Sequence, residues 1–197
     1  MSNCLQAARF FIVQAYEDGR EHEITNMKVQ KLLYYTQSLH LALFDEPWFP
    51  EEIQAWRYGP VCPDAYRSYS KFEADQLPIP DRDDLSDIEP QRLEVLQEVW
   101  DYFGQYNAYY LSGMTHVEFP WKKARRGFSA YERSTEVIAL EDMQLLGNEK
   151  LRQIEREHPD YQRSLSYLLE TASDESDRTP EYIPEGGVHD WLTSLLT

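Results

Sequence analysis

The sequence predicts a mainly α fold: a compact multi-helix domain with a short β-hairpin or small sheet, followed by a helical C-terminal extension. Three observations carry this prediction. Apolar residues recur at the 3–4 spacing of amphipathic helices along most of the chain. Capping residues and helix breakers bracket those runs. One stretch, Trp48–Val61, trades the helical period for a few extended residues around glycine and proline. At 197 residues, 42% hydrophobic and 14% aromatic, the chain suits one domain with an appendage and has ample material for a core.

The elements follow in order. Asn3 caps a first helix whose apolar set is Leu5, Ala8, Phe11, Ile12 and Ala15, and Gly19 ends it. Thr25 or Asn26 opens a second, with Val29, Leu32, Leu33, Thr36, Leu39, His40 and Leu43 as its buried stripe. Lys28, Gln30, Lys31 and Gln37 fall off that stripe and are expected in solvent. Pro47 stops the helix. Ile53, Ala55 and Arg57 form an extended segment, with a rigid corner at Tyr58-Gly59-Pro60 because a residue before proline is driven to extended or turn geometry. Pro63-Asp64 opens a third helix to about Phe72.

Residues 73–90 hold an acid cluster and three prolines after Leu77, which predicts an exposed, mobile loop. A fourth helix from Gln91 turns Leu93, Leu96, Val99, Trp100 and Phe103 inward, and Gly104 closes it. Asn107 caps a short helix to Ser112, and Thr115 another to about Ala124. Ile138 to Leu140 is expected to pair with Ile53–Ala55. The compact domain is placed at residues 1–147. Leu151 and Ile154 begin a helical extension over 148–172, which Pro159 kinks. An acidic linker occupies 173–187 and a short amphipathic helix 188–197, with Val188, Trp191, Leu192, Leu195 and Leu196 on one face.

Charge and cysteine usage exclude several function classes. The formal net charge is −16, which opposes general binding to nucleic acid or anionic lipid. Residues 73–89 and 170–190 each carry seven acids against one arginine, so the excess lies mainly in two segments outside the expected core. Two cysteines, Cys4 and Cys62, make no disulfide framework and read as reduced thiols in a cytoplasmic protein. No apolar run approaches the roughly 20 residues of a membrane span. The five histidines show no metal-ligand spacing, and phosphate-cradling or nucleophile-elbow motifs are lacking. No cofactor or metal is expected. An enzyme using Cys62 or His116 is the weakest alternative.

The informative patches are aromatic. Trp56-Arg57-Tyr58-Gly59-Pro60, Tyr66, His116 and Trp121 combine rigid turns with large amphipathic rings, which serve equally as core plugs and as binding hot spots. Lys122, Lys123, Arg125 and Arg126 form a basic cluster that either grips an acidic surface or offsets neighbouring acids. Trp191 is the aromatic of the terminal amphipathic turn. Trp56, Arg57, Tyr58, Gly59, Pro60, Tyr66, His116, Trp121, Lys122, Arg125 and Trp191 are the candidate partner-binding residues.

These patches also carry a family resemblance. Leu32-Leu33-Tyr34-Tyr35, Gln37 and His40 to Phe44, then Ala55-Trp56-Arg57-Tyr58-Gly59-Pro60-Val61, and later Leu111-Ser112, Thr115-His116 and Pro120-Trp121, resemble the Panacea domain of SocA-like antitoxins across roughly residues 5–145. The resemblance implies a helix-rich antitoxin that neutralises a cognate toxin by direct protein contact, the toxin being encoded next door and sometimes phage- or plasmid-borne. It implies no catalytic residues. An alternative is a proteolytic adaptor that delivers the toxin to an ATP-dependent protease unfoldase through the 188–197 helix. The acid excess suits a basic toxin.

Overall fold

The computed structural model describes residues 3–80, 88–129 and 132–157. These are mainly α, as the sequence predicts, with seven α-helices and one two-stranded sheet: α1 (Cys4–Glu17), α2 (Asn26–Phe44), β1 (Gln54–Trp56), β2 (Gly59–Val61), α3 (Pro63–Tyr69), α4 (Pro90–Phe103), α5 (Ala108–Val117), α6 (Phe119–Ala124) and α7 (Leu140–Glu157).

Local chemistry sets most of the ends. Asn3 accepts from the amides of Leu5 and Gln6 while the Gln6 side chain accepts from Asn3, a complete capping box at α1. Gly19 lies past the end of α1 at φ +67°, where a glycine is at ease. Thr25 caps α2 by accepting from Lys28 N, and Asp45 ends it in the left-handed region ahead of Pro47. Asn107 caps α5 by accepting from Tyr110 N.

Helix α2 is the axis of the unit formed by residues 1–155. Fifteen of its 19 residues are buried, because α1, α3, α4, α5 and β2 all pack against it. This corrects the placement of Lys28, Gln30, Lys31 and Gln37 in solvent: all four are at most 1% exposed. A helix enclosed on every side has no wet face to receive them. Their polar atoms instead take up backbone groups of irregular segments. Gln37 accepts from the amides of Trp48 and Phe49 and donates to Phe49 O, and Lys28 donates to Gly104 O and pairs with Glu23. Leu43, by contrast, is exposed in the last turn, beyond the packed neighbours.

Strands β1 and β2 form the expected hairpin, with Trp56 opposite Gly59 and Gln54 opposite Val61. A third segment joins it, Ala55 N donating to Glu136 O and Ile138 N to Ile53 O. The pairing centres on Val137, one residue before the expected strand, since Leu140 already opens α7.

Other boundaries move for physical reasons. Helix α3 stops at Tyr69 and tightens to a 3₁₀ turn over Ser70–Phe72. In α4 Val95, Leu96, Val99, Trp100 and Phe103 make the buried stripe, leaving Leu93 on its exposed flank. Thr115 is no helix cap: it lies inside α5, fully buried, its hydroxyl donating to Ser112 O, and the break comes at Glu118 ahead of Pro120. The acidic loop is pinned at its start, where Leu77 is buried, Leu77 N donates to Ile24 O and Tyr16 Oη to Leu77 O. Residues 81–87 of that loop, and the expected linker and terminal helix, lie outside the described residues.

Helix α7 begins at Leu140, eleven residues before the Leu151 start that the sequence suggested. Gly147 lies mid-helix against α2, where a Cβ would stand 1.9 Å from Ser38 O. Alanine is the better helix former, yet the backbone crossing leaves it no room. Gly147→Ala is therefore expected to destabilise the protein by about 2–4 kcal/mol in urea unfolding, against the gain of roughly 1 kcal/mol that helix propensity alone would give.

Candidate partner-binding site

The hairpin is hung on α2 by buried polar side chains. Lys31 Nζ donates to Pro60 O at 2.9 Å, and Cys62 N donates to Gln30 Oε1 at 2.9 Å. Gln30 in turn donates to Asn26 Oδ1, and Asn26 donates to Tyr66 O in the middle of α3. Lys31 has no carboxylate beside it, and full burial pulls its ammonium down to about 7. Gly59 fits over this contact only as glycine, at φ +100° with a Cβ position 2.7 Å from both Lys31 Nζ and Thr115 Oγ1.

The turn Arg57-Tyr58 rests on α5. Ser112 Oγ donates to Tyr58 O, while His116 sets Nε2 3.0 Å from Arg57 O and Nδ1 against Ser112 O. The His116 ring lies 4.4 Å from that of Trp121, whose Nε1 donates to Trp56 O. Trp56 packs edge-on to Tyr66, centroids 4.9 Å apart. Arg125 clamps the base, donating to the carbonyls of Ala55, Ser129 and Glu132 and lying over the Trp121 ring. At the α5–α6 junction Glu118 accepts from Tyr35 Oη and pairs with Lys150 at 3.0 Å. Burial pushes its carboxyl up, against the pull of Lys150.

The candidate residues thus divide. Gly59, Pro60, Trp121 and Arg125 are buried and hold the scaffold, Trp56 and His116 are half-buried, and Arg57, Tyr58, Tyr66 and Lys122 are exposed. Hydrogen bonds and ring contacts join Trp56, Arg57, Tyr58, Tyr66, His116 and Trp121 in one neighbourhood. The basic cluster does not act as a unit: Arg125 is internal, Lys123 pairs with Asp142 at 2.7 Å, and Lys122 and Arg126 are exposed. Trp191 lies outside the described residues.

Tyr109, Tyr110, Gly113 and Val117 were not among the sequence candidates, yet all are exposed on α5 beside this turn. Ending that helix at Ser112 leaves Gly113 and Val117 outside it, so the face they share with Tyr109 is not seen. The signal was present, for Ala108–Val117 contains no Asp, Glu, Lys or Arg.

The catalytic alternative is not assembled by the fold. Cys62 and Cys4 are both buried and hydrogen-bond to each other, which raises the Cys4 thiol and lowers that of Cys62, with the amides of Ala65 and Asp64 adding to the fall. His116 has its ring nitrogens on carbonyl oxygens rather than on a thiol. Among the described residues no group of three or more His, Cys, Asp or Glu is placed to hold a metal ion, and no helix is long and apolar enough to cross a membrane.

Residues 29–122 match the family model described as antitoxin SocA-like, Panacea domain. The match runs from α2 to α6 and takes in the hairpin, α3, α4 and α5, a narrower span than the resemblance over residues 5–145. No curated protein and no solved structure matches the chain significantly.

Lys31 gives this scaffold a pH signature. Its folded-state value is depressed to about 7, below that of an unfolded lysine, so between the two values the unfolded chain binds the extra proton and stability rises with pH. Measured by urea unfolding, the wild type is expected to gain on the order of 1–2 kcal/mol over Lys31→Met between pH 7 and pH 9. Parallel pH profiles for the two proteins would contradict this.

Proposed function

We propose that this chain, carrying a SocA-like Panacea domain over residues 29–122, is an antitoxin that neutralises a cognate toxin by direct protein contact. The observation that carries the reading is that this domain consists of the α2-anchored hairpin and the helices around it, and that the hairpin holds Tyr58 out, 63% exposed, from an otherwise locked frame. Arg57, Tyr58 and Tyr66 supply the contact, with Trp56 and Lys122 at its edge. Exposed Tyr and Arg on a rigid support are the residue types that dominate protein interfaces, because they present large amphipathic area and lose little freedom on binding.

Net charge adds to encounter rather than to fit. At −16, the chain attracts a basic toxin over distance, and that term weakens as salt rises. Most of this charge sits in the acid-rich segments 73–89, which lies within the matched span between α3 and α4, and 170–190, which lies beyond it.

Co-expression tests the proposal. The product of a gene next to this one should arrest growth alone and be silent in the presence of this protein. Combining Arg57→Ala with Tyr58→Ala is expected to weaken binding at least tenfold while leaving the melting temperature within about 2 °C, since both side chains are exposed. If no neighbouring product is toxic alone and neutralised by this chain, the antitoxin reading fails.

A further inference from the structure

Helix α5 has an outward face that packing among the described residues does not explain. Ala108, Leu111 and Thr115 face inward and are buried. Opposite them Tyr109 is 81% exposed and Val117 69%, with Gly113 between them at the i+4 step from each. The ten residues of α5 include no Asp, Glu, Lys or Arg, in a chain that is 27% charged. Soluble proteins ordinarily place charge on such a face.

Gly113 is the second, independent observation. It lies in the middle of a regular helix, where glycine costs about 1 kcal/mol relative to alanine. Its backbone has no positive φ, and a Cβ built there meets nothing within 4 Å. Gly59 and Gly147, by contrast, are each fixed by a close approach of the chain's own atoms. Among the described residues nothing calls for a glycine at 113. A partner lying close against the helix backbone does, since the missing side chain opens a notch between Tyr109 and Val117.

We infer that the outward face of α5, with Gly113 as its notch and Tyr109, Val117 and Tyr58 as its walls, receives an apolar ridge of the toxin, one flanked by carboxylates. The inference rests on the antitoxin reading and deepens it by naming the surface and the chemistry of what docks there. The Tyr58 backbone lies next to this face, since Ser112 Oγ, one residue before Gly113, donates to the Tyr58 carbonyl. Arg57 on the turn that rests against α5, and the exposed Lys122 and Arg126 that follow α5 in sequence, are cations despite the overall excess of acid, so the rim of the docking ridge is acidic even if the toxin as a whole is basic. The centre is apolar and aromatic, as in the desolvated core of a protein interface.

The test compares wild type, Gly113→Ala and Gly113→Leu in the full chain against the toxin found by the co-expression screen. Gly113→Ala should raise the melting temperature of the free protein by roughly 2–4 °C, and Gly113→Leu should not lower it, because the Cβ position is open. Both should weaken toxin binding, Gly113→Ala about tenfold and Gly113→Leu a hundredfold or more with loss of growth protection. A Gly113→Leu protein that binds the toxin within twofold of wild type overturns the docking face and leaves the antitoxin reading standing. A fall in melting temperature for Gly113→Ala also overturns it, since the glycine would then belong to the fold. A free wild-type dimer that Gly113→Leu converts to monomer gives the face to a second copy and overturns the toxin as occupant. If wild type neutralises no neighbouring product, both proposals fall together.

Discussion

A lysine side chain sealed from water has to find its acceptors inside the fold, and along α2 those acceptors include backbone carbonyls that no helix or strand ladder would otherwise satisfy. Lys31 reaches Pro60 O and Lys28 reaches Gly104 O, while Gln37 serves three backbone groups at Trp48 and Phe49. Each contact answers two demands at once. Burying the side chain without a partner would cost several kcal/mol, and so would leaving a loop carbonyl or amide dry and unpaired. The pairing makes the helix and the irregular segments depend on one another: the segments cannot leave without stranding a polar group on α2, and α2 cannot rotate without freeing all of them.

That dependence explains why a two-stranded hairpin, marginal by itself, holds a fixed place. It is fastened beneath by Lys31 and Gln30, laterally by Ser112 and His116 of α5, and from α6 by Trp121, with Arg125 tying β1 to the segment that follows α6. Gly59 permits the closest of these approaches. The turn that results shows Arg57 and Tyr58 to solvent on a support with little freedom left to lose, and α5 lies against it with an uncharged face. An interface built this way gives up less entropy on binding than one made of loose loops.

Local chemistry was the legible part. The caps at Asn3, Thr25 and Asn107 and most of the inward stripes of α1 and α4 follow from residue types and spacing, but the structure leaves Leu5 half-buried and Leu93 exposed, buries Cys4, Ala7, Phe10, Val13 and Val95 as well, and turns the hairpin at Arg57-Tyr58, with Gly59 and Pro60 inside β2. What failed was the assumption that a helix has a wet side. Lys28, Lys31, Gln30 and Gln37 read as outward because periodicity reports one apolar stripe and not the number of neighbours around the helix. The early start of α7 escaped notice because Gly147 looks like a stop, whereas here it marks a crossing with α2. Within the candidate site, sequence found the turn but not its neighbour, since treating Thr115 as a cap cut α5 short of Gly113 and Val117. Arg125 was picked out for its charge and proves internal, a distinction that only the carbonyls around it reveal.

The central claim is that buried polar contacts from α2 hold the hairpin in place, and amide hydrogen exchange read by mass spectrometry tests it most directly. Exchange would be followed in peptides covering residues 53–62, with α1 and α4 as internal references, in wild type and in Gln30→Leu, which removes the acceptor of Cys62 N. The variant is expected to lose protection across residues 53–62 by at least tenfold while α1 and α4 keep theirs. Unchanged protection in the hairpin peptide would contradict it, showing that the hairpin holds its place without α2.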